Sequence, residues 1–318
     1  MAEIEIRNYQ VGDLPLLGGL YNAVNTREKV TFWWVGEEDN YVNVYCAFEG
    51  GKMVAKGQVE VFDIVPPGRT TDNKHKIFIN LRTIPEREKD YELMDSVYEY
   101  LFSRAQQLKE SFPSEYSTLM CVGNDPSDNL NNQYFAKHRG FSHYKNLYSM
   151  ERDLTESIQP LVLEEGYDFT YWSIETARME QEYLELEAEV WPDSALGIGR
   201  LTQYKQNPLW TSMVIRQGEE IVGCTMAWKS EESGETVEVE GTEGIAGIGV
   251  VEDVFVREPW RKRGMAKYLL VQALSYLKEQ NLARAQLMVL TTNESALSLY
   301  TSVGFQVASE EIRQCIEI

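Results

Sequence analysis

The stretch from Val250 to Leu270, VVEDVFVREPWRKRGMAKYLL, restricts this chain more than any other. Val250, Val251, Val254, Phe255 and Val256 form an apolar, β-branched run of strand length. Pro259 stops it, because proline lacks an N–H and fixes its own φ. Met265, Leu269, Ala273, Leu274 and Leu277 then recur at helical spacing, which predicts a helix from near Gly264 to about Glu279. The basic turn between strand and helix holds Arg261-x-x-Gly264-x-Ala266, with Lys262 and Arg263 inside it. Amide N–H groups at a helix start point outward, the helix dipole favours an anion there, and Gly and Ala let a phosphate approach closely. Taken alone, so short a motif suits a solvated basic helix start equally well.

At 318 residues the chain has room for two domains of about 150 residues, each with its own core. Hydrophobic content of 43% and charged content of 25% fit a globular protein. No apolar run reaches the length of a membrane span, and Met1 to Glu5 lacks the basic start of a secretion signal, so the expected location is cytoplasmic. A net charge of −20 argues against nucleic acid as a partner, since phosphates would be repelled. It suits a cationic small-molecule substrate, although acidic surfaces also serve solubility. Against that background Arg257, Arg261, Lys262, Arg263 and Lys267 gather positive charge in one place, as an anion site or as an ordinary mixed-charge helix start. Cys46, Cys121, Cys224 and Cys315 show no C-x-x-C spacing, so buried reduced thiols are expected, with neither disulfides nor a metal site.

The predicted elements run in the order β-α-β-β-β-α-β-α-β, twice. In the first half these are a strand at Ile4–Arg7, a helix capped by Asp13, and a hairpin turning at Gly50-Gly51. A strand at Lys76–Thr83, a helix over Glu92–Leu108, a strand at Leu119–Val122, a short helix over Asn129–His138 and a strand at Tyr144–Met150 follow. The stretch from Thr155 to Gly166 lacks periodicity and reads as a linker, which sets domains at 1–154 and 167–318. The second half begins with a strand at Tyr167–Ile174, a helix over Thr176–Val190 and a hairpin turning at Gly218-Glu219. An acidic stretch, Lys229 to Glu243, and a glycine-spaced run, Gly244 to Gly249, lead into the strand–turn–helix. Asn129–Gly140 and Asn293–Gly304 have the same spacing and a Phe after each Gly, which points to internal duplication.

The strand VEDVFV, the turn REPWRKRGMA and the later NESALSLYTSVGF together resemble the GNAT N-acetyltransferase superfamily, and the two-lobed layout is similar to that of mycothiol synthase. The resemblance implies an α/β (α+β) fold of two tandem GNAT-like lobes, each a mixed, mostly antiparallel sheet flanked by helices. It implies acetyl-CoA as cofactor and a small-molecule amine or an amino terminus as acceptor. Carried onto this sequence, the amides of Arg261, Lys262, Arg263, Gly264, Met265 and Ala266 would hold the pyrophosphate. Val254, Phe255 and Val256 would pair with the pantetheine arm as an added strand, and Asn293 would touch that arm. Tyr300 would be the general acid towards the departing thiolate; by itself it also suits packing beside Leu297.

An alkyl amine has a pKa of about 10, so it arrives protonated and must lose a proton before it can attack. His75, His138 and His143 all lie in the first half, which leaves Glu252 and Asp253 on the motif strand as base candidates. Strict alternation would point them to opposite faces, with Glu252 the preferred base; either could instead bind a cationic group while water takes the proton. Ala136 stands where Tyr300 stands in the second half, and Pro85 to Glu92 offers no glycine but several carboxylates. The first lobe is therefore expected not to bind CoA. A non-catalytic acyl-CoA-binding protein, or an acetyltransferase acting on an aminosugar conjugate as mycothiol synthase does, are the alternative functions. The acceptor pocket is expected in the loops Trp191–Trp210 and Lys229–Gly249, where Trp191, Trp210 and Trp228 line it or merely pack.

Overall fold

The computed structural model describes residues 4–26, 30–194, 196–230 and 247–318. Contacts divide the chain into two compact units: Met1–Pro67 with Thr71–Asn146 and Glu311–Ile318, and Gly68–Thr70 with Leu147–Glu310. This differs from the expected division at 1–154, 155–166 and 167–318. Residues 147–154 and the segment expected as a linker belong to the second unit, while the last eight residues belong to the first.

The first unit contains β1 (Ile4–Asn8), α1 (Leu14–Val24), β2 (Val44–Glu49), β3 (Lys52–Asp63), β4 (His75–Thr83), α2 (Tyr91–Lys109), β5 (Thr118–Asn124), α3 (Asn129–Gln133) and the start of β6 (Ser142–Asp153). The second contains the end of β6, β7 (Asp168–Tyr171), α4 (Ala177–Val190), α5 (Ile198–Gln206), β8 (Thr211–Gln217), β9 (Glu220–Lys229), β10 (Ile248–Val256), α6 (Met265–Glu279), β11 (Arg284–Leu290), α7 (Glu294–Thr301) and the start of β12 (Gln306–Glu317). The acidic stretch and the glycine-spaced run lie, from 231 to 246, outside the described residues. Among the described residues no helix is long and apolar enough to cross a membrane.

Within the first unit the strands lie in the order β1-β2-β3-β4-β5 and then the end of β12. Within the second they lie β7-β8-β9-β10-β11 and then the end of β6. Each unit thus takes its outermost strand from the other half of the sequence. Neighbours are antiparallel except β4–β5 and β10–β11, which are parallel because α2 and α6 carry the chain back across the sheet between them.

Leu93, Val97, Leu101 and Ala105 share one face of α2 and bury against Val59, Ile77 and Ile79 of the first sheet. In the second unit, Leu269, Leu270, Leu274 and Leu277 of α6 bury against Met213, Ile215, Val222 and Val251. Each leucine contributes about 1.5–3 kcal/mol by leaving water. The opposite face of β8–β10 is covered by α4 and α5 through Tyr183, Leu184 and Leu201. Sequence reading placed this second helix inside a loop. It has only nine residues, Gly197 and Gly199 flank its start, and Ile198, Leu201 and Tyr204 give it little more than two turns of pattern.

Two local expectations are corrected. Asp13 precedes α1 but makes no side-chain cap; its carboxylate accepts from Arg7 Nη1 at 2.7 Å and Nη2 at 2.8 Å, and from the Gln10 N–H at 2.9 Å. The four cysteines are not all reduced: Cys121 and Cys315 face each other across β5 and β12 and form a disulfide, while Cys46 and Cys224 are buried thiols. The bridge closes a sequence separation of 194 residues and fixes the last strand to the first unit. Cys315→Ser, or reduction of the wild type, is expected to lower the stability of that unit by about 2–4 kcal/mol in urea unfolding. An unchanged midpoint in both experiments would show that the β5–β12 ladder holds the strand without the bridge.

Candidate active site

The site is organised by the way β10 gives way to α6. A 3-10 turn, Glu258–Trp260, holds Pro259 in its first turn, where its missing N–H costs nothing. Lys262 and Gly264 then take left-handed φ values of 63° and 78°. These turns bring the chain to the helix start at Met265. The ladder begins with Tyr268 N–H donating to the Gly264 carbonyl at 2.9 Å, so the amides of Met265, Ala266 and Lys267 precede it and point out of the helix end. In front of them lies a cavity of about 370 Å³, bordered by Val256, Trp260, Lys262, Gly264, Lys267 and Leu299. A Cβ built on Gly264 meets no other atom within 4 Å.

The cations of the turn are used unequally. Arg261 borders the cavity, and its Nε donates to the Val256 carbonyl at 2.9 Å, so the strand end is stitched to the turn. Arg263 is directed elsewhere, with Nη1 on the Tyr167 hydroxyl at 2.8 Å. Arg257 is held by Glu189 at 3.0 Å and Glu220 at 2.7 Å. Lys267, counted in the sequence only as part of a basic cluster, lines the cavity, as does Ser295, which no sequence signal singled out.

Upstream, β10 opens away from β11. The parallel register runs only from Ile248 opposite Arg284 to Val250 opposite Gln286. From Val251 to Val256 the strand is paired through β9, and its other edge faces the gap. A strand edge of this kind can accept an extended ligand arm by main-chain hydrogen bonding.

A bulge alters the expected placement of the carboxylates. The register sets Val250 opposite Trp228 and Glu252 opposite Met226, then slips so that Phe255 faces Cys224. Trp228, Met226 and Cys224 all belong to the core beneath α4 and α5. The extra residue lets Asp253 adopt a left-handed φ of 51°, and its Oδ2 accepts from the Tyr183 hydroxyl of that same core at 2.5 Å. Glu252 and Asp253 therefore share one face of β10. The expectation that they point to opposite faces fails because alternation assumes an unbroken strand. Thr225, on the facing strand, ties the bulge down by donating its hydroxyl to the Glu252 carbonyl at 3.1 Å.

Burial is the main cause that raises the Asp253 carboxyl from 3.8 to about 6; the Tyr183 hydrogen bond and the charge of Arg200 oppose it. Tyr300, on α7, is half-buried with its ring edge-on to Phe305 at 6.1 Å. Burial and then the negative charges of Glu252 and Asp253 push its hydroxyl up to about 12, so it keeps its proton. Tyr204 of α5 is raised well above 10 by burial and by the same two carboxylates, and its ring stacks on Trp228 at 4.8 Å. Trp191 lies edge-on to Phe255 at 5.5 Å. Asn293 serves a local purpose: its Oδ1 accepts from the Ala296 N–H at 3.1 Å and caps α7, so that oxygen is directed into the helix.

The first unit is built differently at the corresponding place. Asp90 caps α2 through Leu93 N–H at 3.0 Å, placing a carboxylate where an anion would have to sit. Across the gap between β4 and β5, Asn131 Nδ2 donates to the Leu81 carbonyl at 3.0 Å. The buried Arg82 also bonds there, to Asn124 at 2.8 Å, Asp128 at 2.5 Å and the Thr31 carbonyl at 2.7 Å, and beside it remains a cavity of about 160 Å³ bordered by Leu81, Asp128 and Asn131.

The model of the acetyltransferase (GNAT) family matches residues 174–305. Among curated proteins, the L-ornithine N5-acetyltransferase NATA1 of Arabidopsis thaliana is 33% identical over 60 residues, which is 19% of this chain and spans only 26% of that relative's length. The fold of a GCN5-related N-acetyltransferase from Sphaerobacter thermophilus superposes with a TM-score of 0.70 at 16% identity, over 99% of this chain and 95% of that one. A tandem GNAT protein from the clavulanic acid biosynthesis pathway superposes with a TM-score of 0.64 at 14% identity, over 99% and 98% of the two chains. These two solved structures establish the shared fold, and the family match falls on the segment that carries the open strand, the basic turn and Tyr300. The chain thus has the fold of GNAT proteins, and its residues 174–305 are similar to the GNAT acetyltransferase family.

Proposed function

We propose that the second unit is an N-acetyltransferase that moves the acetyl group of acetyl-CoA to the amine of a small molecule or an amino terminus. The observation that carries this reading is a convergence within one unit. An open strand edge and a helix end with unladdered amides lie in succession along the chain, and the charges of Glu252 and Asp253 on that strand reach the protonated Tyr300 of α7. When bound, acetyl-CoA supplies the acetyl group as a thioester.

The chain's own groups divide the work. Amides from Arg261 to Ala266, with Lys262 and Lys267 nearby, hold the pyrophosphate. The edge from Val254 to Val256 receives the pantetheine arm, although the Val256 carbonyl is already taken by Arg261. Asp253 accepts the proton that the acceptor ammonium must lose; a carboxyl near 6 is largely ionised at neutral pH yet basic enough for the transfer. Glu252, on the same face, holds the ammonium before that step. Tyr300 donates its proton to the departing thiolate. This assignment exchanges the roles expected from sequence, because the bulge buries Asp253 and fixes it to Tyr183. The name of the Arabidopsis relative, an ornithine acetyltransferase, is in keeping with a small amine as acceptor.

The first unit is proposed not to bind CoA, since Asp90, Asn131 and Arg82 occupy the groups that would receive it. Titration with CoA, read by calorimetry and amide hydrogen exchange, is expected to protect residues 261–267 and to leave 84–93 unchanged. Tyr300→Phe is expected to keep CoA affinity while lowering amine-dependent thiol release by about 10²-fold. CoA binding without turnover on any amine would favour a non-catalytic acyl-CoA-binding protein. Protection at 84–93 would place the cofactor in the wrong unit for this reading.

A further inference from the structure

We infer that Tyr183 is a positioning residue for Asp253: from within the α4 core it holds one carboxylate oxygen and leaves the other to face the acceptor amine. This rests on the reading of the second unit as an N-acetyltransferase with Asp253 as its base.

Four observations meet at this contact. Tyr183 is wholly buried, packed between Trp172 and Phe255, so its ring has a single position. Its hydroxyl donates to Asp253 Oδ2 at 2.5 Å. Burial and the neighbouring negative charge raise the phenol well above 10, so it remains a donor throughout the working pH range. Asp253 itself sits in left-handed backbone, which Asp adopts more readily than most residues with a Cβ, and at this bulge its carboxylate meets Tyr183. Anchoring Oδ2 leaves Oδ1 as the oxygen that can take a proton.

The titratable and charged groups facing this pair come from every packed element. They are Glu187 on α4, Arg200 and Tyr204 on α5, Cys224 on β9, Glu252 on β10 and Tyr300 on α7. Two interactions favour the ionised carboxylate, and the Tyr183 hydrogen bond is stronger than the charge of Arg200. Its removal should therefore make Asp253 harder to ionise, and the sign of the effect is fixed. A tyrosine that merely packs would move stability alone.

The test is Tyr183→Phe, with kcat/KM for an amine acceptor followed from pH 5 to 9. The acid limb, near 6 in the wild type, is expected to move up by about one pH unit. Activity then falls about fivefold at pH 6 and about tenfold at pH 5, converges with wild type by pH 9, and KM for acetyl-CoA is unchanged. Tyr183→His, which keeps a polar donor at that depth, should restore the limb in part and serves as the probe if the phenylalanine variant does not fold. A limb that superposes on wild type, or a uniform loss at every pH, overturns the inference. Titration of the Asp253 carboxyl by 13C NMR, assigned with Asp253→Asn, reads the same shift without turnover. Absence of transfer in the wild type would thus defeat the enzymatic reading while the positioning role was decided separately.

Discussion

Asparagine at position 253 is expected to abolish acetyl transfer and, at the same time, to make the protein more stable at neutral pH. The sign follows from the carboxyl, which titrates near 6 in the folded chain against an ordinary value of 3.8. Between those values the folded state holds a proton that the unfolded state has lost. Stability therefore falls as pH rises through this window, and the full penalty applies above about pH 6. At about 1.4 kcal/mol per pH unit, the penalty reaches at most about 3 kcal/mol. Asparagine carries no charge, still accepts from Tyr183 through Oδ1, and is among the residues that best tolerate left-handed backbone. Melting of Asp253→Asn should thus exceed wild type by several degrees at pH 8 and match it at pH 4. Loss of a general base should lower kcat/KM by about 10²–10⁴-fold. Glu252→Gln is the companion: it should raise KM for the amine more than it lowers kcat. If Asp253→Asn turned over normally and Glu252→Gln did not, the two roles would have to be exchanged.

Such a trade of stability for chemistry explains why this part of the site was the least legible in the sequence. The strand–turn–helix over Val250–Glu279 could be read directly, because proline, glycine and leucine each act locally there. The run VVEDVFV looks like an unbroken strand, and no glycine announces the bulge, since Asp253 itself takes the left-handed turn. Parity then assigned Glu252 and Asp253 to opposite faces. Pairing across β9 decides the matter, and a single strand cannot show it. The Cys121–Cys315 disulfide and the exchanged outer strands are also properties of register between distant segments. Arg263 and Lys267 show the same limit at the level of side chains. Both add charge to the motif, but the bond to Tyr167 draws Arg263 aside while Lys267, one helical turn on, lines the cavity. Asn293 kept its place on the α7 start, yet its oxygen serves as the cap that Asn commonly provides at that position.

Gly264→Glu should remove CoA binding, with an increase in Kd of at least about 100-fold, or about 2.7 kcal/mol. Three contributions act in the same direction. A φ of 78° is one that residues with a Cβ adopt at a cost of about 1–2 kcal/mol, so the turn loses part of its preorganisation. The new side chain starts in space that the protein leaves empty, beside the amides of Met265 and Ala266. Its carboxylate can then occupy the helix end that the pyrophosphate needs, as Asp90 does at the start of α2 in the first unit. Gly264→Asn separates these effects, because asparagine accepts left-handed backbone and carries no charge; a loss of only about tenfold is expected for it. Because the space around Gly264 is open, both variants should fold, with Gly264→Glu melting a few degrees lower for its strained φ and Gly264→Asn closer to wild type, and calorimetry at two salt concentrations reads the affinity. If Gly264→Glu bound CoA as tightly as wild type, the diphosphate would have to be held elsewhere, and the basic turn after Pro259 would be only a solvated helix start.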